Sequence, residues 1–257
     1  MKRWIAFPHP DAAYAYSDAS LKKHWSRLHL GDREPMPRDK EVLAAWRAYH
    51  AGDFGRAIET GIACGLPGYN AANKAAAVYA TYLETSVERK LALLTEAAAR
   101  AEALQSKDPH NANAHYLYAF ATGRYSQLVS VARALAQGLG GRIREALERT
   151  LAIEPRHADA HIAFGAWHAE VIDKVGATIG GLTYGAKRDA AIAHFERALE
   201  LNPGSAIARI EFANALVMLD GKKALPRAEA LYAEAAECEA LDAMERLDAE
   251  AAREELD

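Results

Sequence analysis

Three histidines have the spacing in this sequence that best suits metal chemistry. His157, His161 and His168 stand at i, i+4 and i+11, and imidazoles four residues apart on a helix can share a metal ion. His161, however, has a counterpart at His115 in a repeated pattern, and His168 lies in an aromatic stretch. We therefore predict that these rings belong to the helical framework. We predict neither a metal nor any other cofactor.

A glycine-rich segment from Gly176 to Lys187 invites comparison with a phosphate-binding loop. Gly180 and Gly185 have the separation that such a loop needs, but Lys187 comes one residue late. No strand precedes the segment, and the Ser or Thr that would hold Mg²⁺ is missing. The glycines instead predict a connection between two helices that requires glycine conformations.

No catalytic arrangement is recognisable in the chain. A Gly-x-Ser-x-Gly elbow is absent, and Cys64 and Cys238 stand far apart in contexts typical of packed thiols. Paired acids such as Glu254 and Glu255 lie in a charged terminal segment, where carboxylates are usually solvated. We predict no catalytic residues and a protein that is not an enzyme.

Composition excludes two classes of partner. The formal net charge is −4 with both signs interspersed, whereas phosphate binding needs a concentrated excess of Lys and Arg, so no nucleic-acid partner is predicted. No segment approaches the roughly 20 apolar residues that cross a bilayer, and the N-terminal residues lack the apolar core of a signal peptide. We predict no membrane insertion and, by elimination, a cytoplasmic location.

Helix-forming residues and an internal repeat predict the fold class. Alanine, leucine, glutamate and arginine dominate, and alternating β-branched runs are absent. Asp108-Pro109, Glu154-Pro155 and Asn202-Pro203 each follow a segment with small or apolar residues at the same offsets. Because the residue before proline is pushed out of the α-region, each proline marks the end of a helix. We predict an all-α protein.

A second pattern follows the prolines and indicates that each repeat is a pair of helices. Residues 113–116 and 159–162 occupy equivalent places, as do the small residues Ala119 and Gly165 at the helix crossing. The predicted division comprises an N-terminal extension, five repeats and a capping helix, with these boundaries: extension 1–38 with one helix near 11–29, repeats 39–69, 70–110, 111–156, 157–204 and 205–237, and cap 238–257.

The layout resembles the tetratricopeptide repeat (TPR), a helix–turn–helix with small residues at the crossing and proline at its end. The best match is the segment from Ala191 to Pro203. The two repeats between the prolines are longer than usual. In this respect the chain resembles the regulator-of-microtubule-dynamics family and the TPR component of tripartite (TRAP) transporters. The resemblance implies an α-solenoid that binds a partner without catalysis.

In this repeat class the first helix of each pair lines the inner, concave surface. The resemblance therefore implies a groove that binds a peptide or protein segment, with amides bonding its backbone and aromatic rings contacting its side chains. The predicted groove residues are Asn113, Tyr116, Phe120, Arg124, Asp159, Ile162, Glu170, Ile210, Asn214 and Met218.

Three alternatives remain open at this stage. The extra residues of the long repeats, 125–139 and 171–184, could enclose a pocket for a small or lipid-like molecule, as in the transporter-associated proteins. The aromatic-rich residues 1–38 could cover the groove in place of a partner. A second copy of the chain could fill it and form a homo-oligomer.

Overall fold

The computed structural model describes residues 4–256. Residues 1–3, part of the predicted N-terminal extension, and residue 257, at the end of the predicted cap, lie outside the described residues. Every regular element between residues 4 and 256 is helical, and that part of the chain contains no strand. The predicted all-α class is confirmed.

The chain forms two compact units. Unit 1 comprises the described residues up to His29, Arg33–Ser130 and Leu241–Met244, and unit 2 comprises Leu30–Asp32, Val131–Ala240 and the described residues from Glu245 onward. The helices of unit 1 are α1 Asp18–Leu28, α2 Lys40–His50, α3 Phe54–Ala63, α4 Tyr69–Tyr82, α5 Val87–Lys107 and α6 Ala112–Leu128. Those of unit 2 are α7 Val131–Ala136, α8 Leu139–Ile153, α9 Ala158–Val175, α10 Ala177–Ile179, α11 Arg188–Leu201, α12 Ala206–Asp220, α13 Leu225–Ala236 and, from Glu245, α14 Ala243–Glu254.

Unit 1 is built around α4, which packs against α2, α3, α5 and α6. Alanines such as Ala72 and Ala76 are fully buried along α4, and their small side chains let the neighbouring helices approach closely. The space around them is filled by three large rings, Trp46, Tyr49 and Tyr79, none more than 1% exposed. Burial of each such ring stabilises the unit by roughly 2–3 kcal/mol before chain entropy is counted.

Unit 2 is centred on the crossing of α9 with α11 and α12. Phe195 of α11 is fully buried and stacks on Phe212 of α12 with 5.1 Å between ring centroids. Gly165 of α9 faces the Phe195 ring so closely that an added Cβ would lie 2.7 Å from it. The small residue predicted at this crossing is therefore required by the packing.

The three proline turns share one hydrogen-bonding pattern. In Asp108–Asn111, Glu154–His157 and Asn202–Ser205, the fourth residue donates its N–H to the carbonyl of the first. The side chain of that fourth residue then accepts from the backbone N–H three residues further on, which caps the following helix. These caps are Asn111 to Ala114, His157 to Ala160 and Ser205 to Ala208.

A further side chain completes each turn six residues after its proline. His115 and His161 each place Nε2 3.2 Å from the carbonyl oxygen of Pro109 and Pro155. In the last turn Arg209 donates to the Pro203 carbonyl at 2.8 Å. Because a carbonyl only accepts, both imidazoles carry the proton on Nε2. The equivalence of His115 and His161 thus arises from one structural role in the turn.

His157→Ala is expected to lower the free energy of unfolding by about 2 kcal/mol, because it removes the cap of α9 and leaves a gap at a fully buried site. His157→Asn, which installs the residue found at position 111, should recover about half of that loss. Urea unfolding of the three proteins measures both effects. Equal destabilisation by Ala and Asn would show that capping contributes nothing at this site.

The N-terminal extension differs from its predicted single helix over 11–29. A short 3₁₀ turn at Ala12–Tyr14 precedes α1, which begins only at Asp18 because Ser17 and Ser20 form a capping box. Upstream, Trp4 lies edge-on to Tyr79 with 5.0 Å between centroids, and Phe7 lies against Gly52. This first part of the extension is therefore packed on the helices of unit 1.

Candidate functional site

The predicted groove residues of unit 1 form a ladder along one face of α6. Asn113 and Tyr116 are buried, whereas Phe120 and Arg124 are half-buried. The rings of Tyr116 and Phe120 stack with centroids 5.9 Å apart, and the Arg124 guanidinium lies 5.6 Å from the Phe120 centroid. The ladder therefore ends in a half-buried ring with a half-buried guanidinium over it.

Asn113, the first residue of the ladder, binds a carboxylate of the chain itself. Its Nδ2 donates to Glu34 Oε2 at 2.6 Å. Asn70 of the neighbouring helix α4 donates to the same carboxylate, with Nδ2 3.2 Å from Oε1 and 3.0 Å from Oε2. Asn70 and Asn113 are each only 4% exposed. We call Glu34, Asn70 and Asn113 the carboxylate site.

Helix geometry explains why the two amides converge. Asn70 and Asn113 are each the second residue of their helices, α4 and α6, which pack side by side. Asn111, the cap of α6, also accepts from Asn70 Nδ2 at 3.2 Å, which ties the start of one helix to the start of the other. The carboxylate thus lies at two helix N-termini, where the peptide dipoles favour a negative charge.

The segment that carries Glu34 contacts this site without regular secondary structure. The Trp25 indole Nε1 donates to the Glu34 carbonyl at 2.8 Å, and Pro35 restricts Glu34 to extended geometry. Arg33 has a φ of 53°, which is a strained conformation for a residue with a Cβ. Arg33, Pro35 and Met36 are exposed. We call residues 33–37 the strap.

A second polar layer lies one turn further along α4. Arg100 of α5 donates from Nε to Asn73 Oδ1 at 2.8 Å, while the Asn73 Nδ2 is buried without a hydrogen-bond partner. Burial lowers the pKa of Arg100, an effect that the Glu96 carboxylate opposes. Lys74 is buried with its ammonium group 5.8 Å from the centroid of the Tyr49 ring. The layer beneath the carboxylate site is therefore rich in donors.

In unit 2 the predicted residues of α9 divide between buried and accessible positions. Asp159 and Ile162 are buried, and the Asp159 N–H donates to the Gly31 carbonyl at 3.1 Å. Glu170 is half-buried and accepts from Lys174 at 3.0 Å. Only the C-terminal part of this face offers a charged side chain with access to solvent.

The predicted residues of α12 likewise become more exposed toward the C-terminal end of the helix. Ile210 is buried in a cluster with Ala235 and Ala252. Asn214 is half-buried and accepts from the Tyr232 hydroxyl at 2.7 Å, whereas Met218 is 40% exposed. Met218 is therefore the residue of the predicted α12 set that a partner reaches most readily.

The histidines do not assemble as the spacing in the sequence suggested. His161 Nδ1 lies 2.8 Å from His194 Nδ1, and His168 Nδ1 accepts from the Lys187 N–H at 3.2 Å. His157 is occupied as a helix cap. Among residues 4–256, no group of three or more His, Cys, Asp or Glu side chains is placed to hold a metal ion.

Burial and neighbouring charges keep two of these rings neutral. Burial, followed by the charges of Arg144 and Lys187, lowers the pKa of His168 to about 4. Burial and the nearby rings of His161 and His168 lower the pKa of His194 to about 4 as well. Phe164 stacks on both rings, with centroids 4.9 and 4.6 Å away. The cluster is an aromatic stack within unit 2.

The glycine-rich segment forms a compact connection after α9. Gly176 and Gly185 have φ values of 82° and 69°, and residues 180–184 form a single π-helical turn between them. Arg144 donates to the Tyr184 carbonyl at 2.7 Å. Four apolar side chains of the long repeats in unit 2 are exposed to solvent and do not line an enclosed space: Val131, Leu135, Ile179 and Leu182.

Three residues of these arrangements, Asn70, His194 and Glu34, were not predicted from the sequence. Asn70 could have been found, because it has the same place in α4 that Asn113 has in α6, although Pro67 lies one residue nearer to it than Pro109 lies to Asn113. His194 stands in the best-matching repeat but lies 33 residues from His161. Glu34 precedes the repeats, and no local pattern marks it.

Comparisons with known proteins agree with this architecture. The crystal structure of a thermophilic TPR protein from Thermus thermophilus matches with a TM-score of 0.59 and 18% identity, over 83% of this chain and 97% of that chain. At this identity the likeness shows the fold alone, and it confirms the predicted α-solenoid of TPR type. A search of curated proteins finds no match.

No helix among the described residues has the length and apolar character to cross a membrane. The model of the family "Regulator of microtubule dynamics protein 1-3" matches residues 69–256, which is well over half of the chain. The family resemblance expected from the long repeats is thereby confirmed. The chain belongs to the regulator of microtubule dynamics protein 1-3 family.

Proposed function

We propose that this protein is a non-catalytic adaptor that binds a peptide or protein segment along the first helices of its repeats. The carboxylate site is the observation that carries the proposal. There, side-chain amides of α4 and α6 bind the carboxylate of Glu34, a residue that lies outside the repeats. A peptide that lies on the first helices can be held by side-chain hydrogen bonds of the same kind.

Each of the two units offers accessible groups on its own first helices. Arg124 and Phe120 on α6 offer a cation and a ring edge, and Glu170 on α9 offers a carboxylate. Met218 on α12 adds a flexible apolar side chain, a type that adapts to different partner surfaces. Side chains of these types suit a protein segment with both charged and apolar residues.

Substitutions on the first helices test the proposal against matched changes on second helices. Arg124→Ala and Met218→Glu are expected to reduce partner capture from lysate at least tenfold, an effect of about 1.4 kcal/mol or more. Arg142→Ala and Ile62→Glu are the controls, because Arg142 is an exposed arginine of α8 and Ile62, at 42% exposure, matches Met218. Quantitative mass spectrometry of the captured proteins measures the ratio. Equal losses in controls and test variants would contradict the proposal.

A further inference from the structure

We propose that the strap is an internal ligand, and that the carboxylate site accepts an acidic side chain of a partner peptide once the strap is displaced. This inference rests on the proposed function and specifies its partner class. The Glu34 side chain stands in for the partner's carboxylate, because it meets the first helices through hydrogen bonds that any glutamate in an extended peptide could make.

One donor of the site, Asn70, is positioned independently of Glu34. Asn70 is tied to Asn111 Oδ1, and Asn111 is fixed by capping α6 through the Ala114 N–H at 3.0 Å. Asn113 lies in the first turn of the same helix. Release of the strap would therefore remove Glu34 as an acceptor for Asn70 and Asn113, and the N–H groups that it engaged could donate to another acceptor.

The chemistry of the site favours a carboxylate over an amide. Nδ2 of Asn70 and Nδ2 of Asn113 both donate, and together they contact both oxygens of Glu34. A glutamine would bring an NH₂ group against one of these donors and would lose the attraction to the two helix N-termini. An acidic peptide is accordingly the ligand class that fits.

The strap has features of a segment that can leave. Arg33 is held at a positive φ, so part of the energy gained at Glu34 offsets local backbone strain. Pro35 and Met36 are exposed to solvent. A peptide that replaces the strap would compete with an intramolecular ligand, so its apparent affinity depends on the fraction of molecules with the strap released.

Fluorescence anisotropy on the full chain tests the inference. The probe is a labelled, C-terminally amidated peptide with the sequence of residues 31–38, Gly-Asp-Arg-Glu-Pro-Met-Pro-Arg. Glu34→Ala is expected to bind it about tenfold more tightly than the wild-type protein, because the internal competitor is lost. A peptide with glutamine in place of its glutamate should bind that variant about tenfold more weakly.

Two further variants make the result decisive. Adding Asn113→Ala to Glu34→Ala should abolish the gain, and Glu145→Ala, an exposed glutamate on α8, should behave as wild type. If Glu34→Ala melts too low for the assay, Glu34→Gln takes its place, because it keeps the shape of the side chain. Equal affinity for the two peptides, or a gain that survives Asn113→Ala, would overturn the inference.

Failure of this inference is distinguishable from failure of the proposed function. If a cooperatively folded Glu34→Ala protein binds neither peptide, the strap is a fixed structural element and the inference is wrong. If Arg124→Ala and Met218→Glu still abolish partner capture in that case, the adaptor function stands with another class of ligand. Loss of capture in the controls alone would instead count against the adaptor function.

Discussion

Ala191→Trp is expected to unfold the repeat formed by α9 and α11. Ala191 is fully buried on α11, one turn before Phe195. The ring of Phe195 already lies too close to Gly165 for even a Cβ there, so the crossing has no room for an indole. Overpacking by a single side chain commonly costs about 1–3 kcal/mol, and a change from Ala to Trp should exceed that range. We expect the Tm to fall by roughly 10 °C.

Ala193→Trp is the matched control for this prediction. Ala193 lies two residues further along the same helix and is exposed, so an indole there meets solvent and should change the Tm by no more than a degree or two. Thermal unfolding followed by circular dichroism compares the two variants. An Ala191→Trp protein that melts with the wild type would mean that the register assigned to this repeat is wrong.

The sequence was sufficient for the repeats because their determinants are local. A proline that ends a helix, a capping residue two positions later and a small residue at the crossing all act within one helix pair. Asp108–Asn111 and Asn202–Ser205 could therefore be recognised as equivalent turns, and both adopt the same hydrogen bonds. The small residue at Gly165 was predictable for the same reason, since every repeat must bring its two helices together.

The carboxylate site was not predictable because its contacts join distant parts of the chain. Glu34 and Asn113 are 79 residues apart, and Glu34 lies outside the repeated pattern. The register assigns Asn113 to the first helix of its repeat, where it lies in α6, but periodicity does not show that the chain itself contacts that helix. Burial of Ile162 and Ile210 was unpredictable for the same reason. The register of a repeat does not show which of its positions neighbouring elements cover.

Acidification is expected to destabilise unit 2 through His168 and His194. Both folded-state pKa values lie at about 4, below the value of about 6.5 for an unfolded chain. Between these values the unfolded chain binds more protons, so the free energy of unfolding falls as the pH decreases from about 6.5 to about 4. Above a pH of about 6.5 these two groups contribute their full stability. At pH 5 the free energy of unfolding is expected to be lower by about 3 kcal/mol through both rings together. This is less than two independent rings would give, because the two rings interact and His194 keeps some hydration.

Variants of single histidines assign this pH dependence to the aromatic stack. Urea unfolding at pH 7.5 and pH 5.0 measures how much the free energy of unfolding of each protein falls between the two pH values. His194→Gln should reduce the loss by about 1–2 kcal/mol, since one proton-binding group of the unfolded chain is removed. His110→Gln is the control, because His110 is exposed in the Asp108–Asn111 turn, and it should retain the wild-type loss. An unchanged pH dependence in His194→Gln would show that other groups cause the acid sensitivity. A reduced dependence there and not in His110→Gln would place it in the rings that Phe164 holds together.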